Sequence, residues 1–232
     1  MIKKIVTSVS LSLLLSSSLY GVQSVKVNTD SKYTASVVPK KMTVQEKKQR
    51  FRDLVVPAVE KVYADLDAKY KEAKRVIDTG KTDAKIEKQM KLYHAKDPQD
   101  LLKRMKPHAK SVAIAQAAME SAWATSRFTK VATNLFGVWS FNKNEPRVAA
   151  GEKRAKKTIY VKKYSSLEAS IRDYYKILAT GRVFAGFRDV KMKSNDPYEL
   201  VKKLDKYSEK GAEYGKELSS MIKYNRFYKF DD

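Results

Sequence analysis

One stretch of this chain has almost no residue suited to meeting water. Between His108 and Trp123 the residues are nearly all small or apolar. Val112, Ala115, Met119 and Ala122 mark one helical face, and Ile114, Ala118 and Ser121 mark a second. A helix that is apolar or small almost all round has no solvent side and packs closely on its neighbours. The chain must therefore supply other helices to enclose this one. Glu120 sits near its C-terminal end.

The remaining periodicity supplies those helices. From Val44 to about Asp78, Phe51, Leu54, Val55, Val59, Val62, Tyr63 and Leu66 form one stripe, and Pro57 predicts a kink or a division there. Shorter helical pieces are expected from Ile86 to Tyr93 and from Pro98 to Met105. Ser165 and Glu168 have capping-box spacing before Ile171, Tyr174, Tyr175 and Leu178. Asp196-Pro197 opens another helix, and Gly211 to Asn225 a last one. Between Asn134 and Tyr164 the helical period is lost, and Thr158 to Tyr164 suggests a strand. That region reads as a β-hairpin and as the best candidate for a mobile flap.

Composition removes several chemistries. There is no cysteine, so disulfides, thiolate nucleophiles and cysteine-ligated zinc are excluded. His94 and His108 are the only histidines, and neither lies in a nucleophile-elbow context. No metal or other cofactor is expected, and carboxylates are the natural candidates for proton transfer. The formal charge of +22 predicts attraction to something anionic without naming it. Met1-Ile2-Lys3-Lys4 followed by an apolar, serine-rich run to about Tyr20 has the form of a secretory signal peptide. Export to the periplasm or cell envelope is the expectation, with residues 1–21 as signal, 22–43 as flexible linker, 44–106 as an N-terminal helical region and 107–232 as the catalytic domain. The leading run is too short and too serine-diluted for a stable membrane span. Oligomeric state is not legible.

An ionised carboxylate on an apolar helix must be paired, solvated in a cleft, or neutral. A general acid uses the last state. A Glu reaching solvent at a helix end, or pairing with Lys110 or Arg127, satisfies the same physics. Composition alone leaves Glu120 open.

The segment from Ala115 to Phe128, including Met119-Glu120-Ser121-Ala122-Trp123, followed by Asn134-Leu135-Phe136-Gly137, resembles the signature of bacterial glucosaminidases of glycoside hydrolase family 73. It is most similar to the Bax-like bacterial branch (unrelated to the apoptosis regulator). The similarity resumes from Tyr164 to Ile171 and from Tyr207 to Tyr214, and Lys47 to Pro57 resembles the helical N-terminal region of that branch. It runs from about Glu46 to Asn225. Many relatives carry Gly where this chain has Ala124, and Asn where it has Met119.

The resemblance implies a mainly α (α+β) fold, lysozyme-like, with a small β-hairpin and an N-terminal helical extension. It implies that Glu120 is the catalytic acid of an endo-β-N-acetylglucosaminidase acting on peptidoglycan strands, and it matches Tyr207 to a tyrosine of the substrate groove, a position that a buried core tyrosine with a satisfied hydroxyl can equally occupy. Trp139 and Phe136 can stack on sugar rings or belong to the core. Asn134 can contact substrate or hold a turn. Relatives place a second Glu in the hairpin; here Glu152, then Glu145, are the candidates, and where a His-Glu-Val run is common this chain has Ile159-Tyr160-Val161. With two carboxylates their separation decides inversion or retention; with one, the substrate's N-acetyl oxygen can attack instead. The rival readings are a lytic transglycosylase, a non-catalytic wall-binding or scaffolding protein, and a nucleic-acid binder, the last motivated by charge alone and opposed by the export signal.

Overall fold

A computed structural model describes residues 34–154 and 157–232, with the side chains of residues 152–157 left aside; the expected signal segment and residues 22–33 of the linker lie outside it. The described residues form nine α-helices and one two-stranded sheet. The fold is mainly α with a small β-hairpin, as expected.

The first helix, α1, spans Val44–Asp78. Thr43 and Glu46 close its start reciprocally: Glu46 N–H donates to Thr43 Oγ1 at 3.2 Å, and Thr43 N–H to Glu46 Oε2 at 2.7 Å. The helix runs on through Pro57 rather than dividing. Pro57 lies on the exposed face, where water can satisfy the carbonyl that its missing N–H leaves unmatched.

Next come α2 (Ala84–Tyr93), α3 (Pro98–Met105), α4 (Lys110–Glu120) and α5 (Arg127–Ala132). After the hairpin follow α6 (Leu167–Thr180), a 3-10 turn at Arg182–Phe184, α7 (Ala185–Lys193), α8 (Pro197–Val201) and α9 (Ala212–Tyr224). The cap of α6 is Ser166, one residue later than the spacing of Ser165 and Glu168 predicts; its hydroxyl accepts from Ala169 N–H at 3.1 Å. Helix α7 has no counterpart in the sequence reading. Its apolar positions are few and its buried set includes Arg188 and Lys191.

Helix α4 is the hub. Every residue from Ser111 to Ala118 is buried. Around it pack Phe51, Val55, Val59 and Val62 of α1, Ile171, Tyr174 and Leu178 of α6, Leu218 and Ile222 of α9, and Phe227. The first half of α1 thus belongs to the same core as the segment around Glu120. Its far end joins α2 and α3 in a smaller cluster of Ala73, Ile77, Ile86, Leu101, Leu102 and Met105.

The hairpin pairs β1 (Arg147–Arg154) with β2 (Lys157–Lys162) in antiparallel register. Ala149 faces Tyr160, but further along Lys153 faces Thr158, so β1 carries extra residues between them. Gly151, at φ +87°, supplies the left-handed backbone such a bulge needs. The hairpin base is anchored by Lys162 N–H to Val138 O at 2.9 Å, Ser140 N–H to Tyr160 O at 2.9 Å, and Arg127 to Ala149 O at 3.2 Å. The flap reading falls partly on residues 155–156, outside the described ones.

Two tests follow from this packing. Phe51 is fully buried and meets Trp123 edge-on at 5.3 Å. Phe51→Ala should cost about 3–5 kcal/mol, and urea unfolding should show one shifted cooperative transition, because α1 and α4 share a core. Lys191 is 3% exposed, and burial first, then Arg188 and Lys106, lower its pKa from 10.5 to about 7. His108, Arg104, Tyr175 and Lys176 line the same crevice; Arg104 is committed to Asp100 at 2.8 Å. Between pH 7 and 10 the unfolded chain binds the proton that the native Lys191 gives up, so native stability from this group rises with pH. Lys191→Met should stabilise the protein at pH 7 by on the order of 1–4 kcal/mol, and the gap to wild type should narrow as unfolding is measured toward pH 10.

Candidate active site

Glu120 is the last residue of α4, and the way that helix ends sets where its carboxylate lies. Trp123 N–H donates to Ala118 O at 2.8 Å and Ala122 N–H to Met119 O at 3.4 Å. These are the two bonds of a Schellman helix end, which usually places Gly at its left-handed position. Here Ala122, Trp123 and Ala124 stand in succession at φ +51°, +65° and +58°. Left-handed backbone costs about 1–2 kcal/mol for each such residue, so neighbours must hold the turn. Ser121 does so from within: its hydroxyl donates to Ala117 O at 2.5 Å and accepts from Ala124 N–H at 2.7 Å. Arg50 does so from α1, donating to Ala124 O at 3.2 Å and also to the carbonyls of Thr34 and Val37. Trp123 leaves the helix and rests partly exposed against Phe51 and Phe227, under the Lys48 ammonium.

The half-buried Glu120 carboxylate is met by α9. Tyr214, 2% exposed, donates its hydroxyl proton to Glu120 Oε1 at 2.7 Å. Tyr207, in the turn before α9, stacks on Tyr214 with ring centroids 5.5 Å apart and planes 11° from parallel. Burial, and then the charge of Glu120, push the phenols of both tyrosines well above their ordinary range. Both therefore stay protonated and able to donate.

A second acidic group lies at the base of the hairpin. Asp173 Oδ2 on α6 accepts from Tyr164 Oη at 2.7 Å and from Lys162 Nζ at 2.9 Å. Glu145 stands 3.8 Å from the same ammonium. The Tyr164 phenol is raised by burial, then by Asp173, Glu145 and Tyr207. Asp173, Tyr164, Gln116 and Tyr214 were not singled out from the sequence as site residues. Tyr214 and Gln116 lie inside the stretches that resemble the family, with no role attached to either.

The residues that the sequence singled out are distributed unequally. Glu120 and Tyr207 come together. Glu145 is engaged with Lys162, and Glu152 lies on β1 with its side chain outside the described ones. Trp139, partly exposed, bridges Val161 and stands 6.1 Å from the exposed ring of Phe141. For two residues the structure decides between the readings that the sequence left open. Phe136 is fully buried and stacked on Tyr174 at 4.1 Å, so its face is covered and offers nothing to a sugar. Asn134 is 1% exposed and spends its side chain on the chain itself. Its amide donates to Val138 O and Lys162 O, and its carbonyl accepts from Val138 N–H, fastening the loop to β2.

Among the described residues no group of His, Cys, Asp and Glu side chains is arranged to hold a metal ion, and no helix is long and apolar enough to cross a membrane. The profile of the glucosaminidase family, described as mannosyl-glycoprotein endo-β-N-acetylglucosaminidase, matches residues 95–227, and the chain belongs to that family. Among solved structures it is similar to the catalytic domain of the autolysin Auto from Listeria monocytogenes, with 18% identity, TM-score 0.48, and 83% of this chain and 92% of that one covered. It is also similar to a peptidoglycan hydrolase mutant from Sphingomonas sp. A1, with 17% identity, TM-score 0.46, and 78% and 97% covered. A third is a glycoside hydrolase domain of FlgJ from Salmonella typhimurium, with 19% identity, TM-score 0.41, and 55% and 90% covered. No curated protein matches.

The strained turn makes its own prediction. Ala122 is exposed, so its methyl group contributes little burial. Ala122→Gly should stabilise the fold by about 0.5–1 kcal/mol, the left-handed penalty less the entropy of the added glycine. A fall in the midpoint of thermal unfolding would contradict the strain.

Proposed function

We propose that this chain is an endo-β-N-acetylglucosaminidase of peptidoglycan in which Glu120 is the general acid. The observation that carries the reading is the placement of Glu120: a single carboxyl at the end of a buried helix, one oxygen tied to Tyr214, beside Tyr207. In the reaction Glu120 gives its proton to the leaving glycosidic oxygen as the sugar becomes oxocarbenium-like. Tyr214, donating to the other oxygen, stabilises the carboxylate that this transfer creates. Tyr207, 8% exposed and stacked on Tyr214, packs beside the acid, and the rings of Trp139 and Phe141 offer apolar faces to the pyranose chain.

The second group comes from the hairpin side. Glu145 is held by Lys162, which leaves Glu152 as the preferred carboxylate; without one, the substrate's own N-acetyl oxygen attacks the anomeric carbon. Peptidoglycan carries peptide carboxylates, so the +22 charge favours residence on the polymer, less strongly at high salt. Export to the periplasm or cell envelope belongs to the same reading.

Digestion of purified sacculi by wild type and by Glu120→Gln, followed by mass spectrometry of the soluble fragments, tests it. Wild type should release water-added fragments with reducing N-acetylglucosamine ends, and Glu120→Gln should release none while still sedimenting with sacculi. Anhydro-muramyl ends would replace hydrolysis by a lytic transglycosylase reaction. Undiminished release by Glu120→Gln would remove Glu120 from the chemistry.

A further inference from the structure

The bond from Tyr214 to Glu120 is the last link of a longer chain. His108 Nε2 lies 3.0 Å from Tyr174 Oη, Tyr174 Oη lies 2.5 Å from Gln116 Oε1, and Gln116 Nε2 lies 2.8 Å from Tyr214 Oη. His108, Tyr174, Gln116 and Tyr214 are each at most 2% exposed. They come from the residue before the α4 cap, from α6, from α4 itself and from α9. Four buried polar side chains in an otherwise apolar core are costly unless each is fully partnered.

The direction of the chain follows from counting protons. Each phenol has one. Tyr214 gives its proton to the Glu120 carboxylate, so its oxygen must accept from Gln116, which requires the Gln116 NH₂ to face Tyr214. The Gln116 carbonyl then faces Tyr174 and takes its proton. The Tyr174 oxygen must in turn accept from His108, so the imidazole carries hydrogen on Nε2. Burial, and then the Lys191 ammonium, hold His108 well below its ordinary pKa, which keeps it neutral. Every donor in the series points toward Glu120. The Gln116 amide in the middle does not pass a proton on, so the chain orients and polarises and does not conduct.

We infer that Gln116, Tyr174 and His108 are positioning residues for Glu120, holding the Tyr214 hydroxyl so that it donates to Oε1 of the carboxyl group. As the proton of the acid leaves, the aligned donors stabilise the charge that appears. This inference rests on the reading of Glu120 as the acid.

The experiment measures kcat and KM on soluble peptidoglycan glycan chains, across pH, for wild type, Gln116→Leu, Tyr174→Phe, His108→Gln and Glu120→Gln, with melting curves for each. Gln116→Leu should lower kcat on the order of 10- to 100-fold with KM within about 3-fold. Its alkaline limb should move up by about half a pH unit, because a carboxylate that loses donors holds its proton more tightly. Tyr174→Phe keeps the ring that stacks on Phe136 and should behave likewise; it decides the matter if Gln116→Leu does not fold. His108→Gln, which retains an N–H donor, should restore kcat to within about 3-fold of wild type. A folded Gln116→Leu or Tyr174→Phe with wild-type kcat and pH profile would overturn the inference. So would a loss of activity that follows melting temperature with the profile unmoved. If Glu120→Gln is inactive while these variants match wild type, the positioning chain fails and the acid stands. If Glu120→Gln is active, the acid falls and the chain with it.

Discussion

The molecule depends on enclosing one helix that has no face for water. With every residue from Ser111 to Ala118 buried, α4 is a stable element only when α1, α6 and α9 cover it. That demand explains why the front half of α1 does not form a unit of its own: Phe51, Val55, Val59 and Val62 are the cover. It also explains why Gln116 matters beyond its size. A buried amide in that position is tolerable because Tyr174 and Tyr214 satisfy it from two different helices, so the polar pairing and the packing of α6 and α9 on α4 specify one another.

The helix also stops abruptly, leaving Glu120 half-buried at its last position. The stop is made of alanine and tryptophan in a conformation glycine would adopt more cheaply, and it is held by Ser121 from within and Arg50 from α1. The same arginine gathers the carbonyls of Thr34 and Val37, so the end of the expected linker is tethered to the turn beside the acid. Backbone strain of this kind persists only where the surroundings over-determine it.

The positive charge is unevenly employed. Lys162 is drawn into the hairpin base, where it neutralises Asp173 and stands by Glu145. Lys191 is buried near Arg188 and His108, where it costs stability and helps keep the imidazole neutral. Most exposed ion pairs, such as Lys71 with Asp67 and Lys216 with Glu213, are single pairs in water and contribute little. The surplus positive charge therefore contributes little to folding.

Much of this was legible in the residues themselves. The stripe from Phe51 to Leu66, the proline starts of α3 and α8, the hairpin and the buried character of α4 all follow from local periodicity and capping chemistry, which act over a few residues. The family resemblance around Glu120 was legible for the same reason, being contiguous. What only the tertiary structure decided depends on side chains far apart in the chain. Tyr214 was readable as a core position, yet its hydroxyl meets Glu120 across α9 and α4. Phe136 was readable as a platform or as core, and the fold decides for the core by laying it on Tyr174. The direction of the hydrogen bonds from His108 to Glu120 is a property of five side chains together, because each donor is assigned only once its neighbour's proton has been placed.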